Sequence, residues 1–393
     1  MKDYFENEYE KDSDPKTYFL FTRQFPSGTL SFRTDARVNR FSSMTERLPE
    51  IQYNIISQRL GNTGFYFKNI STYSNLVMKT AAPSEVRQNT MRVDTDSEIS
   101  YPFRFSFLEF NPYVGGRETY YSKTKDESRY DIMRGLFKTG VDISTKFYKV
   151  IDIEGDFFGI DVNRLRHIIT PSIAYLFTSE PTVFNSKIDQ FDEIDNVTQD
   201  HTINFSLENK LQTKREDKSV DLLRAVVGTD FRLKEYAGSE VHGFDHITAD
   251  IEIKPADWLS FYWDADFDTT KDRLQSSNVD LYLNDDNEKW SFNFGKRYSY
   301  DVDDQITTEL IYAINPKWKF RTYFRLDTDS GTVKEQEYTI TRDLHCWEMD
   351  INFNETRGEG SEIWLVFRLK AFPDIGIDFG TSFNKRKLGS QSP

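Results

Sequence analysis

The chain has 393 residues, a net charge of −14 and 15% aromatic residues, with a mean hydropathy of −0.65. No apolar run approaches the roughly 20 residues that a membrane helix needs, so helical spans are excluded, and the acidic balance argues against a nucleic-acid partner. The single cysteine, Cys346, excludes an internal disulfide framework and any cysteine-rich metal site.

The first residues, MKDYFENEYEKDSD, are acidic and lack an apolar stretch, so they form no secretory signal. Residues 1–15 are expected to be a loop before the first strand. From residue 16 to 372 the pattern has period 2, the period of a strand whose side chains alternate between faces. MRVDTDSEISYPF sets Met91, Val93, Ile99, Tyr101 and Phe103 against Arg92, Asp94, Asp96 and Glu98. LEFNPYVGGRETYY sets Leu108, Phe110, Pro112 and Val114 against Glu109, Asn111, Tyr113 and Arg117. RLRHIITPSIAYLF places Arg164 and Arg166 opposite Leu165, His167 and Ile169. WLSFYWDADFD separates Leu259, Phe261, Trp263 and Phe267 from Asp264, Asp266 and Asp268. KWKFRTYFRLD separates Trp318, Phe320, Phe324 and Leu326 from Lys319, Arg321, Tyr323 and Arg325. In the last such segments Glu348 and Asp350 share the polar side, and residues 373–393 read as a C-terminal tail. In all there are roughly 19 such segments, most about 10–15 residues long, with no helical period among them. The fold class is all-β.

Connections alternate in length. Short ones are PSG (26–28), the turn near Ser106, KPAD (254–257), NDDNE (284–288), NPK (315–317) and the turn near Asp343. Longer polar links are SKTKDES (122–128), the run from Glu180 to about Gln199, LKEYAGSEVHG (233–243) and TDSGTV (328–333). One connection, 151–163, is long on the short-turn side. Short turns at one rim and long loops at the other are the habit of bacterial outer-membrane barrels. With short turns periplasmic, Thr17–Phe25 runs inward from the outer surface, so further strands are expected before residue 1.

Two readings compete: a soluble all-β binding protein with its oily faces inside, or a barrel with those faces in lipid. Strand length favours the barrel, since globular strands average about 5–6 residues and tilted membrane strands about 9–11. Opposite charges close together on the polar faces, as at Arg92 and Asp94, suit a wet lumen. Trp290, Trp318 and Trp347 lie near short turns, as an interfacial aromatic girdle does.

Several stretches resemble the C-terminal barrel of the LPS-assembly protein family LptD (OstA). They are ERLPEI (46–51), YPFRF with LEFNPYVGGRETYYS (101–122), LRHIITPSIAYLF (165–177), TRDLHCWE and EIWLVFRLKAFP, in the family's order. The resemblance implies a large antiparallel transmembrane β-barrel of about 26 strands. This chain would hold the later strands of it, incomplete at the N-terminus. A periplasmic jelly-roll would precede the barrel, a periplasmic bridge would deliver lipopolysaccharide, and a small lipoprotein would plug the lumen. The lipid would leave through a lateral seam into the outer leaflet. A general porin or receptor-type barrel is the alternative. No cofactor is implied and no catalytic motif stands out.

Under this reading Arg92, Asp94, Asp96, Glu98, Glu109, Arg117, Arg166, Asp264, Asp266, Arg321, Arg325, Glu348 and Asp350 line the lumen, as candidates for contacts to saccharide or plug. Cys346 turns inward by parity; the family forms disulfides hereabouts with its N-terminal region, so Cys346 is either such a staple or a small thiol without a role. HGFDH (His242–His246) has the zinc spacing of a helix, but in a strand four residues span about 13 Å, too far for one metal. The acidic runs DQFDEIDN (189–196), DVDD (301–304) and NDDNE either hold divalent cations or are solvated loops.

Overall fold

A computed structural model describes residues 17–38, 43–81, 88–125, 130–157, 159–215, 218–233, 242–358 and 360–384. The expected N-terminal loop (1–15), most of the 233–243 link and the end of the tail (385–393) lie outside the described residues. No described helix is long and apolar enough to cross a membrane.

The chain divides into two compact units, one of residues 1–145, 172–204 and 231–242, the other of 146–171, 205–230 and 243–393. The first unit contains β1 (Tyr18–Phe25), β2 (Gly28–Asp35), β3 (Met44–Arg59), β4 (Tyr66–Lys79), β5 (Asn89–Ser100), β6 (Phe103–Phe105), β7 (Leu108–Lys123) and β8 (Tyr130–Ser144). The second opens with β9 (Phe147–Phe157). The strands β10 (Ile160–Thr178), β11 (Asp200–Arg215) and β12 (Lys218–Arg232) give segments to both units. The second unit then continues through β13 (Gly243–Ala256), β14 (Leu259–Asp268), β15 (Arg273–Asn284), β16 (Trp290–Ser299), β17 (Asp303–Asn315) and β18 (Trp318–Asp327). It closes with β19 (Thr332–Asp343), β20 (Trp347–Thr356), β21 (Gly360–Leu369) and β22 (Phe372–Asn384), the last running into the stretch that reads as a tail.

Pairing is antiparallel between chain neighbours, as in β4–β5, β7–β8 and β14–β15. The register puts the two faces where the period-2 pattern predicts. On β5, Val93 and Ile99 are 43% and 39% exposed, while Arg92 and Asp94 are 0% and 1% exposed. The same inversion recurs along β20, where Ile351 is exposed and Asp350 buried. Buried apolar side chains are few among the described residues, whereas large apolar side chains such as Phe137, Phe205, Leu310 and Ile363 stand exposed. A soluble sandwich would bury that face against a second sheet. Neither unit does so.

Among the described residues there are 22 strands, more than the roughly 19 segments that periodicity suggests. Phe103–Phe105 is a strand of its own. The stretch 151–163, which reads as a long connection, is instead a hairpin in which β9 pairs with Ile160–Ile169 of β10 around Gly159. Gly159 has φ +78°, a left-handed conformation that glycine adopts at little cost. Alternation of loop length also fades along the chain. In the second unit both kinds of connection are tight, as at 269–272, 300–302 and 316–317.

Prolines mark the interruptions. Pro102 lies between β5 and β6, and Pro112 of β7 faces the same gap, its carbonyl accepting from the Tyr101 N–H at 3.0 Å. Pro171 separates the β10 residues that pair with β9 from those that pair with β8. A residue with no N–H to donate is tolerated where the ladder is already broken.

Candidate functional site

The polar face of the first unit carries a built cluster. Arg92 of β5 lies directly across from Tyr121 of β7, and Asp94 from Thr119. Thr119 in turn lies across from Arg134 of β8. Strand alternation alone therefore brings Arg92, Tyr121 and Arg134 onto one side. Over them folds the connection 179–199, which we term the strap.

Two strap carboxylates reach the cluster. Arg92 donates from both terminal nitrogens to Asp192, each at 2.7 Å, and to Asp195 at 2.8 Å. The Tyr121 hydroxyl donates to the same Asp195 oxygen at 2.7 Å. Asp195 uses its other oxygen inside the strap, accepting from the backbone N–H of Phe191 at 2.9 Å and of Asp192 at 3.3 Å. Arg134 binds the strap by its backbone, donating to the carbonyls of Ile194, Asp195 and Val197 and to the Asn185 side chain. Arg47 of β3 adds a longer contact to Asp192 at 3.4 Å, and Thr45 donates to the Phe191 carbonyl at 3.3 Å. Between these polar ties the apolar Ile188 and Phe191 are buried.

This geometry explains the state of the Asp192 carboxyl. Burial pushes its pKa up, but the bond and charge of Arg92 and the charge of Arg47 outweigh it and hold the group below the ordinary carboxylate range. Asp192 and Arg92 are therefore ionised together, the arrangement that makes a buried guanidinium–carboxylate pair tolerable. The run 189–196, whose composition suggests a solvated or cation-binding loop, is instead packed on the sheet through Asp192 and Asp195. No group of three or more potential metal ligands occurs among the described residues.

Most of the other predicted lumen residues lie in ion pairs or hydrogen bonds along the polar faces. Asp94 pairs with Arg117, two contacts of 2.8 Å, rather than with its chain neighbour Arg92. Lys138 reaches Asp96 at 2.6 Å and Glu98 at 3.7 Å. Arg166 donates to Gln212, and Asp264 accepts from Asn278 at 2.8 Å. Asp266 meets His246 at 2.5 Å. Arg321 bridges Glu309 and Glu337 at 2.5 and 2.8 Å, and Arg325 reaches Glu335 at 3.2 Å. Asp350 accepts from Thr341 and from Arg368. Glu109 stays exposed, and Glu348 is half-buried across from Asp343.

Cys346 is not on a strand face, as parity suggests, but exposed in the β19–β20 turn. His345 takes φ +76° there, with its N–H on the Asp343 carboxylate at 2.7 Å, and this turn resets the alternation. Trp290, Trp318 and Trp347 each open a strand after a short turn. Arg342 stacks 5.0 Å above the Trp318 ring. The strap contacts leave no signal in the sequence beyond an acidic run in an arginine-bearing barrel pattern.

A family model described as LptD, LPS transport system D, matches residues 21–321. No curated protein matches the chain in sequence. Among solved structures the chain is similar to the siderophore receptor PirA from Acinetobacter baumannii at 6% identity and TM-score 0.39, over 93% of this chain and 70% of that one. It is also similar to the copper transporter OprC, at 9% identity and TM-score 0.31, over 94% and 72%. A third is the alcaligin outer-membrane receptor FauA from Bordetella pertussis, at 11% identity and TM-score 0.31, over 91% and 68%.

Proposed function

The chain belongs to the LptD family of lipopolysaccharide transport and is an outer-membrane β-protein, and from that premise we propose that it forms wall of a translocon that inserts lipopolysaccharide into the outer leaflet. The observation that carries this reading is the family match over 21–321. The two-faced strands support it. Apolar faces, with Phe137 and Leu310 exposed, would meet acyl chains, and charged faces would carry the saccharide.

The polar faces suit passage better than retention. Arg117 with Asp94, Arg321 with Glu309 and Glu337, and Arg325 with Glu335 are already satisfied by one another. A saccharide sliding past such pairs finds hydrogen-bonding groups without an unpaired charge to trap it, and a conduit needs sites weak enough to leave. No covalent step is required of the chain. The strap lies on the polar face of the first unit, so a saccharide there must skirt it or displace Asp192 and Asp195 from Arg92. The partners in this reading are lipopolysaccharide, a plug lipoprotein in the lumen, periplasmic bridge proteins acting through a preceding domain, and outer-membrane lipid.

Depletion of the full-length protein tests the proposal. Surface lipopolysaccharide, read with an impermeant label on intact cells, should fall as the protein is lost. Unchanged surface levels would sink it.

A further inference from the structure

A hollow of about 450 Å³ opens on the polar face of the second unit, across β12 to β15. Its size lies within the range of small-ligand sites. Two tyrosines form its floor. Tyr262 and Tyr282 meet edge to face, with ring centroids 5.9 Å apart and planes at 85°. The register sets Tyr262 between Glu252 on one neighbouring strand and Asp280 on the other, and sets Asp250 across from Asp264. Four carboxylates therefore ring two aromatic faces. Across from Asp280 stands Gly295, where Thr307 Oγ1 leaves no room for a Cβ.

Each carboxylate is held by one oxygen. Arg224 donates to Asp250 at 2.9 Å, Lys254 reaches Glu252 at 2.5 Å, Asn278 donates to Asp264 at 2.8 Å and Arg297 donates to Asp280 at 2.6 Å. The other oxygen of each has no partner among the described residues. Held carboxylates with a spare oxygen are acceptors in search of O–H donors. The three cations are committed to Asp250, Glu252 and Asp280, and Asp264 has none, so a phosphate entering here would meet net negative charge and no free cation.

We propose that this hollow is a binding subsite for neutral, hydroxylated sugar rings. The C–H face of a pyranose would lie on Tyr282, since Lys254 Nζ sits over the Tyr262 ring, 4.8 Å from its centroid, and its hydroxyls would donate to Asp264, Asp280, Asp250 and Glu252. The assignment rests on the translocon reading, in which saccharide travels along the polar faces, and it names a resting point on that path.

The test uses the full-length chain in detergent micelles and saturation-transfer NMR. One probe is a core oligosaccharide freed of lipid and phosphate; the second is the same oligosaccharide with its phosphates. Transfer to sugar C–H protons is expected from the phosphate-free probe. Tyr282→Ala should weaken it about three- to tenfold, the share a stacked ring supplies, and Tyr262→Ala, which removes the ring that Tyr282 packs against, should weaken it too. Tyr282→Phe, which keeps the ring, and Tyr323→Ala, on the polar face of β18, should leave it intact. Equal transfer in the alanine variants, no transfer to the wild type, or preference for the phosphorylated probe would each overturn the subsite. These readouts need no export, so absent binding with surface lipopolysaccharide still dependent on the protein removes only the subsite. Binding with surface lipopolysaccharide independent of the protein removes only the translocon.

Discussion

Arg92 has no solvent exposure and is bonded to carboxylates 100 and 103 positions away. Removing one partner of such a buried pair typically costs about 3–5 kcal/mol, because the remaining charge is left uncompensated. Arg92→Ala should therefore free the strap, read as new protease cleavage within 179–199. Arg92→Lys should rescue only partly, since a point charge cannot reproduce the forked contact with Asp192. Asp192 makes the same tie pH-dependent. Its pKa lies below the ordinary carboxylate value, so its contribution is complete above that value and fades as the pH falls through the folded one. Protease protection of the strap should hold at neutral pH and weaken below about pH 4, and Asp192→Asn should abolish that acid-dependent step. None of this was legible in the sequence. Periodicity puts Arg92 and Asp94 on one face, but a partner 100 residues further along the chain is a tertiary fact, and an acidic loop in isolation reads as solvated.

Single strands were far more legible, because alternation is a local property and the faces follow from it directly. Prolines 102, 112 and 171, which have no N–H to donate, fall at breaks in the ladder. The β9–β10 hairpin was missed although Ile151 and Ile153 alternate with Asp152 and Glu154. The unmatched position of that stretch among the short turns outweighed its own pattern. Close packing of neighbouring strands was equally hidden. Gly140 of β8 lies beneath the Tyr113 ring and against the Tyr175 carbonyl, where an added Cβ has no room. Gly140→Ala should therefore cost about 1–3 kcal/mol through forced displacement of β10. A lowered temperature for loss of the compact, fast-migrating form on unboiled gels would show it.

For the whole molecule, the exposure of its apolar faces is the governing fact. A side chain that faces hydrocarbon punishes charge far more than one on the polar side. Leu310→Arg, on the apolar face of β17, should cost about 2–4 kcal/mol in folding titrations into bilayers. Asn293→Arg, bonded across the strands to Glu309, should be close to neutral. Similar losses at both positions would contradict the assignment of faces. The turn at His345–Cys346 carries a further consequence. The chain has one thiol, and that thiol is exposed. Antiparallel neighbours reverse direction at every hairpin, so learning which compartment one hairpin tip occupies orients all the strands laddered to it. A membrane-impermeant maleimide, applied to whole cells and then to spheroplasts, thus turns a single sulfhydryl into a compass for the sheet.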